Sequence, residues 1–386
     1  MLIEVLAIQS YAERAALRLV CKRWRAAIAS KEFAVVRAVI GETGTVIVGA
    51  GDDRDVWRHP NRSVSKHPSW LIIEGRLLRG PGMPTSDCVV GNSCVVMGNT
   101  VVVVGGYDGD YWDDEQPQCH AHVLDVSRGT WSRLPAPPDA GHGVVPVEAP
   151  ALGVLRGRLF CAGGGCADPR RSVDDGEDPR QEPPVLPGGV YEYDPEMRAW
   201  RARSDMPVPV RGAAFATVEN RLIVIGGTDF GEGIRYPGSQ VEHLQIYDAD
   251  QDSWTLAAVP RGRACAHAAV IGDEIYYSGG IDEGISQRWV EALDLETLSV
   301  RYIKPPGFED ARDDWDHDDP NLGAFPEPPG PCLSEQPTGV IDSQYVALGK
   351  ENAIWALGED GSWTRRLQIP GPDLFPCPMV SNVPLI

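Results

Sequence analysis

The sequence "VVVVGG" at Val101–Gly106 is a short apolar run that ends in two glycines. Versions of it recur as "RLFCAGG" (Arg158–Gly164), "RLIVIGG" (Arg221–Gly227) and "EIYYSGG" (Glu274–Gly280). Such runs are typical of buried strands that end in a tight bend, because glycine adopts positive φ angles without strain. The first glycines of the four pairs lie 58, 63 and 53 residues apart. Similarity at such a period predicts a repeat architecture.

A second motif follows three of the glycine pairs, an Asp that precedes a Trp by six residues. The pairs are Asp125 and Trp131, Asp194 and Trp200, and Asp248 and Trp254. A fourth copy keeps Asp294 but has Val300 in place of the Trp. Asp followed by polar residues predicts a turn, and a large aromatic residue after it predicts the start of another strand.

Together these features resemble the kelch repeat, and the resemblance implies a mostly β fold, a β-propeller of four-stranded antiparallel blades. We expect six blades over residues 43–386, the first of them degenerate and the next four at about 88–138, 148–208, 211–260 and 264–305. The sixth covers about 343–370. We also expect the C-terminal tail, residues 377–386, to pair in the first blade and close the ring, so that no open edge remains.

Residues 1–40 differ from the rest in having neither Gly nor Pro, and their apolar residues follow helical spacing. The segment "LRLVCKRWRAAIASKEF" (Leu17–Phe33) resembles the second half of an F-box. Gln9–Ser10 stand where the family has a Leu-Pro, and its opening Leu-Pro has no counterpart after Met1, so we expect a shortened, helical F-box-like segment. The resemblance implies that it binds a Skp-type adaptor through Leu6, Leu17, Val20, Cys21 and Trp24.

Composition excludes several functional classes. A net charge of −20 argues against non-specific nucleic-acid binding. No apolar run reaches the length of a membrane-spanning helix, and no signal peptide is expected. Nine cysteines without a Cys-x-x-Cys pair predict reduced thiols and a cytoplasmic or nuclear protein. No zinc-ligand spacing, phosphate-binding loop or nucleophile motif occurs, so we expect neither a cofactor nor catalysis.

The long connections carry most of the acidic residues. In a four-stranded antiparallel blade, the loop between strands two and three and the connection to the next blade leave on the same side, so we expect one acidic face that binds a target protein. Aromatic residues among acids favour such an interface. The predicted target-binding residues are Tyr111, Trp112, Asp113, Asp114, Phe230, Tyr236, Trp289 and Trp315. The glycine pairs, by contrast, are predicted to be structural.

The combined resemblance implies a substrate receptor of an SCF-type, cullin-based ubiquitin ligase. The acidic face predicts that its target carries a basic segment. Two alternatives stay open. One is a kelch interaction scaffold with no ligase role. The other is an iron-dependent protein similar to the plant nitrile-specifier proteins, because Glu309, Asp313 and His317 are spaced by four residues.

Overall fold

The computed structural model describes 26 strands. The described residues are 43–47, 68–73, 76–82, 90–107, 121–126, 128–135, 149–164, 188–229, 240–258, 262–282, 285–286, 290–303, 338–341, 344–349, 353–369 and 379–384. All of the strands belong to four-stranded antiparallel sheets, except for one short two-stranded hairpin.

Three strands come first in the chain: β1 (Thr43–Ile47), β2 (Pro68–Ile73) and β3 (Arg76–Gly82). Blade A contains β4 (Val90–Met97), β5 (Thr100–Tyr107), β6 (Ala121–Asp125) and β7 (Thr130–Leu134). Blade B contains β8 (Ala151–Leu155), β9 (Arg158–Ala162), β10 (Val190–Asp194) and β11 (Ala199–Arg203). Blade C contains β12 (Ala214–Val218), β13 (Arg221–Ile225), β14 (His243–Asp248) and β15 (Ser253–Ala258).

Blade D contains β16 (His267–Ile271), β17 (Glu274–Ser278), β20 (Val290–Asp294) and β21 (Val300–Ile303), with the hairpin β18 (Ile281–Asp282) and β19 (Ile285–Ser286) inserted in it. Blade E contains β22 (Thr338–Ile341), β23 (Gln344–Leu348), β24 (Ala353–Leu357) and β25 (Trp363–Gln368). The last strand, β26 (Met379–Pro384), pairs with β1, so that β26, β1, β2 and β3 form a sheet here named the terminal sheet.

The Asp of each repeat holds the turn between the third and fourth strands, as predicted. In blade B, Oδ1 of Asp194 accepts hydrogen bonds from the backbone N–H groups of Glu196 (2.9 Å) and Met197 (3.2 Å). Asp125, Asp248 and Asp294 accept equivalent bonds in blades A, C and D. Four residues after each Asp the backbone φ is positive, at Gly129, Arg198, Asp252 and Leu298.

The repeated Trp joins each blade to the preceding sheet. Trp254 Nε1 donates a hydrogen bond to the Ser204 carbonyl oxygen at 2.9 Å, and Trp200 Nε1 donates one to Pro135 at 2.9 Å. Trp131 makes the same bond at 3.3 Å to the Pro81 oxygen, at the end of β3. Two of these indoles also pack on a Tyr of their own blade with ring centroids 5.1 Å apart. The Trp therefore fixes the spacing between neighbouring sheets.

The core lies between the sheets. One cluster packs Val102 and Val104 of blade A against Leu152 and Leu159 of blade B, and similar clusters lie between blades B and C, C and D, and D and E. Ile72 of the terminal sheet is buried against blade E. The first strands of successive blades contact one another, and β26 contacts both β22 and β4. The sheets therefore surround one axis, with β4, β8, β12, β16, β22 and β26 innermost.

The predicted pairing of the C-terminal tail with the first strands is present: β26 runs antiparallel to β1, with Val380 opposite Val46. The domain boundaries at residues 1–40 and 43–386 stay predictions. The helical segment, including the adaptor-binding residues Leu6, Leu17, Val20, Cys21 and Trp24, lies outside the described residues.

The predicted fold class needs a correction. In the part of the chain that the structure describes there are five blades of consecutive strands, so the predicted count of six blades is wrong for that part. No helix occurs among the described residues, and the predicted helical segment lies outside them. The predicted first blade is instead the terminal sheet, which draws strands from both ends of the chain and has no double glycine or Asp turn. Blade E also starts earlier than predicted, because Thr338–Ile341 forms its innermost strand. Nothing helical among the described residues is long and apolar enough to cross a membrane.

Candidate functional site: the double-glycine face

A double glycine follows the second strand of blades B, C and D and lies near the end of β5 in blade A, and these positions define the double-glycine face. Its first glycines are Gly105, Gly163, Gly226 and Gly279, which all have positive φ. The bends are crowded by backbone. A Cβ on Gly163 would lie 2.6 Å from the Val210 oxygen, and one on Gly226 would lie 2.7 Å from the Arg263 nitrogen. Glycine is therefore required by both conformation and space, which supports a structural role for these positions.

Segments that connect one blade to the next lie against these bends. Gly164 N–H donates to the Val210 oxygen in the connection between blades B and C (2.9 Å), and Gly227 N–H donates to the Arg263 oxygen in the connection between C and D (2.8 Å). The loops between second and third strands begin and end at the same bends. The argument that both kinds of connection leave from one face therefore holds for these blades.

Near the axis, a short run of backbone hydrogen bonds links three blades. Gly212 N–H donates to the Ala149 oxygen (3.2 Å), and Cys265 N–H donates to the Gly212 oxygen (2.6 Å). All three residues have positive φ and lie two residues before the first strand of their blade. Cys265 is exposed there, whereas Cys94 and Cys161 are buried.

Two buried polar side chains, here named the clamps, bind the connections between blades. The Gln245 amide donates to the Val208 oxygen at 2.8 Å and accepts from its N–H at 3.1 Å. At the equivalent place in blade D, the Glu291 carboxylate forms an ion pair with Arg263, and both side chains are 2% exposed. Gln245 is likewise fully buried. Each clamp fixes a connection that lies against the double-glycine bends.

The Arg263–Glu291 pair has a third member, Tyr277. The Arg263 guanidinium lies over the Tyr277 ring, 4.9 Å from its centroid, and also donates to the Gly279 oxygen at 3.2 Å. Burial and the neighbouring Glu291 carboxylate raise the pKa of Tyr277 well above its usual value, so its hydroxyl stays protonated. This cluster supports the double-glycine end of blade D from inside.

A second charged cluster joins blades B and C. The buried Glu192 carboxylate accepts hydrogen bonds from Arg158 and Arg203, the latter from Nε at 2.6 Å. Burial raises the pKa of Glu192, but the two guanidinium groups outweigh it and hold the pKa below its ordinary value. On the blade C side, the Tyr247 hydroxyl donates to Asp252 Oδ1 at 2.7 Å, and Asp252 also accepts from the Ser204 N–H at 3.0 Å.

These charged clusters are the residues that the sequence did not reveal. Charged side chains in strands predict exposed positions, and only the contact between a connection and the next blade buries Arg263 and Glu291. The one available signal was the alternation in "VYEYD" (Val190–Asp194), a strand that is buried throughout.

The predicted target-binding residues all lie outside the described residues: Tyr111, Trp112, Asp113, Asp114, Phe230, Tyr236, Trp289 and Trp315. The structure gives the points from which their segments start. Residues 108–120 follow β5, 230–239 follow the bend of blade C, and 304–337 follow β21. Glu309, Asp313 and His317 also fall outside, and the described residues contain no cluster of His, Cys, Asp and Glu that could hold a metal.

Comparisons with known proteins agree with this architecture. Residues 88–138 and 262–307 match the Kelch motif, and residues 1–35 match the F-box domain. Kelch-like protein 35 of Mus musculus is 33% identical over 113 residues, which cover 28% of this chain and 19% of that protein. Kelch-like protein 25 of Xenopus tropicalis is 26% identical over 220 residues, 56% of this chain and 32% of that protein. Kelch-like protein terF of Aspergillus terreus is 24% identical over 236 residues, 59% and 45% of the respective chains.

The chain thus spans less than half of the length of each of these relatives. This chain therefore combines residues that match the Kelch motif with residues that match the F-box domain, as F-box/kelch-repeat proteins do.

Proposed function

We propose that this protein is a substrate receptor of a cullin-based ubiquitin ligase of the SCF type, in the cytoplasm or nucleus. The observation that carries the proposal is the presence of an F-box at residues 1–35 in the same chain as the kelch motifs. F-box domains generally bind Skp-type adaptors. The F-box would attach the chain to the ligase, and the propeller would hold the target.

Such a receptor acts without bond chemistry of its own. By binding both the adaptor and the target, it raises the effective concentration of the target near the ligase. The buried clamps at Gln245 and Glu291 support this role, because they fix the connections at the base of the double-glycine face before a partner binds. A pre-organised surface loses less conformational entropy on binding.

The target in this proposal is a protein with a basic segment. The connections that leave the double-glycine face carry much of the acid behind the net charge of −20, including eight Asp and Glu residues between 307 and 331 against one Arg. Complementary charge acts mainly on the association rate, so capture of such a target should slow as salt rises.

Adaptor binding is tested by co-purification of the full-length chain with a recombinant Skp-type adaptor. Trp24→Ala should remove the adaptor, since loss of an aromatic anchor at an interface often costs at least about 2 kcal/mol. The matched control is Met197→Ala, an exposed residue in the turn of blade B, which should retain it. Because Trp24→Ala can also unfold its segment, a chain lacking residues 1–35 is the second variant. Adaptor binding that survives this deletion would refute the proposal.

Target binding is tested by proximity labelling with the full-length chain as bait. Proteins labelled by the parent and lost from a variant with both Tyr111→Ala and Trp112→Ala are the candidate targets. That variant should still bind the adaptor. If partners are captured but no adaptor ever co-purifies, the chain is the interaction scaffold without a ligase role.

A further inference from the structure

The outermost strands of the sheets differ in charge. Five of the six carry arginine and no acid: β3, β7, β11, β21 and β25. The exception is β15 of blade C, with the sequence "SWTLAA" (Ser253–Ala258). Charged residues on an edge strand discourage pairing with another chain, so β15 is the one outer strand of the described sheets that lacks this protection.

The surface of β15 is also exposed and apolar. Leu256 is 44% exposed, and Thr255 and Ala258 are exposed beside it. The strand is the last member of its sheet, in the order β12, β13, β14, β15, so its outer edge has no strand on it among the described residues. Alternate residues of such an edge direct their N–H and C=O groups away from the sheet.

We propose that β15 is a self-association edge, through which two copies of this chain pair across a twofold axis. The two copies of blade C would then form one continuous antiparallel sheet. A twofold axis through Leu256 places this residue opposite its own copy, and Trp254 opposite Ala258 of the second copy. Every cross-strand pair in this arrangement is uncharged.

The absence of charged residues on β15 favours a second copy of this chain as its partner. A twofold antiparallel pair centred on β25 would place Arg365 opposite Arg366 of the second copy, and one centred on β11 would place Arg201 opposite its own copy. Like charges directly opposite one another destabilise a strand pair. β15 has no charged residue and can pair with its own copy in any register without such repulsion, so it is the outer strand that best suits an identical partner.

The pairing should be weak and should respond to salt in a defined direction. A six-residue strand offers on the order of six backbone hydrogen bonds across a twofold pair and little buried area compared with a standard interface. Each chain carries a net charge of −20, which opposes association at a distance. Salt screens that repulsion and does not weaken the pairing of the uncharged strands. The dissociation constant of the dimer should therefore fall as salt rises.

The test is sedimentation velocity of the full-length chain over a range of concentrations, at low and high salt. A reducing agent is present because the exposed Cys265 thiol could otherwise join two copies. We expect a shift from monomer to dimer with rising concentration, at lower concentration in high salt, and no larger species because a twofold interface closes at two copies.

Two variants place a charge on the edge, Leu256→Lys and Thr255→Lys. Leu256→Lys should raise the dissociation constant of the dimer at least about tenfold, because its two lysines lie directly opposite one another. Thr255→Lys should raise it by a smaller factor, because each lysine then lies opposite Ala257 of the other copy and the two lysines are diagonal neighbours. The control is Met197→Lys, which makes the same charge change at a 66% exposed residue outside β15 and should dimerise as the parent does. Far-UV circular dichroism checks that all variants are folded.

Three results would overturn the proposal. A chain that stays monomeric at every concentration and salt would leave the edge to a strand of a different protein. A dimer that persists in both edge variants would place the interface elsewhere. A dimer that is lost equally in Met197→Lys would show that net charge, and not β15, controls association. Assemblies larger than two copies would exclude a closed twofold pair.

Discussion

The double glycines make a quantitative prediction, because only some glycines of this chain are crowded. Gly227 has φ of +91°, and a Cβ built on it would lie 2.9 Å from the Arg211 oxygen. Its N–H donates to the Arg263 oxygen, and its oxygen accepts from the Val241 N–H. Gly98, in the turn between β4 and β5, also has positive φ, +61°, but a Cβ there would meet nothing within 4 Å.

The variants Gly98→Ala and Gly227→Ala therefore separate conformation from contact. Gly98→Ala should cost about 1 kcal/mol of the free energy of unfolding, the strain of a left-handed backbone. Gly227→Ala carries that strain and must also displace the connection between blades. Crowding adds about 1–3 kcal/mol and weaker hydrogen bonds about 1 kcal/mol more, so we expect a loss of about 3–5 kcal/mol in total.

The assay is urea denaturation followed by tryptophan fluorescence, with both variants measured beside the parent. The denaturation midpoint of Gly227→Ala should fall well below that of Gly98→Ala, or the variant should fail to accumulate as a folded protein. Equal losses in the two variants would refute the reasoning, because the close approach of the connection would then carry no energetic cost.

Three further outcomes are expected. Deleting residues 377–386 should lower the melting temperature sharply or cause aggregation, because β26 pairs with β1; melting at the parent's temperature would refute this. Leu298→Gly should stabilise by about 1 kcal/mol in urea, since Leu298 is exposed with φ of +55°, and destabilisation would show that the Leu side chain contributes more than the strain costs. Glu192→Gln should destabilise at pH 7. The Glu192 pKa is lowered on folding, so its contribution is present above the ordinary pKa and fades below about pH 4.3, and the gap in denaturation midpoint should narrow there.

The local elements were predictable because the residues that form the strand ends and turns recur along the sequence. Two glycines end the second strand, an Asp builds the next turn, and a Trp begins the outer strand. In blade B the Asp194 turn and the Trp200 hydrogen bond follow this scheme.

The predicted blade count was wrong because the repeat signals stop where the two ends of the chain meet. The terminal sheet is held by pairing between residues more than 300 positions apart, such as Val46 and Val380, which no local pattern reports. The innermost strand of blade E was missed for a related reason. "TGVI" (Thr338–Ile341) is four residues long and follows a long acidic stretch, so it offers little periodicity.

The buried charged clusters could not have been predicted from single strands. Arg263 precedes β16 in a connection, where a charged residue is normally exposed, and it is buried by Glu291 and Tyr277 of the following strands. Its partner follows it by 28 residues. Only the tertiary arrangement of connection and blade brings the two together, so a sequence pattern with a period of two or 3.6 residues carries no information about it.

The central claim is tested most directly by ubiquitin transfer in a reconstituted ligase. The full-length chain, the Skp-type adaptor and the cullin complex are combined with a partner that proximity labelling has identified, and ubiquitin attached to that partner is measured. The account predicts transfer with the parent chain, its loss with Trp24→Ala although the partner is still bound, and its loss with the Tyr111→Ala, Trp112→Ala variant although the adaptor is still bound. Transfer that continues when residues 1–35 are deleted would contradict the claim that one chain joins target to ligase.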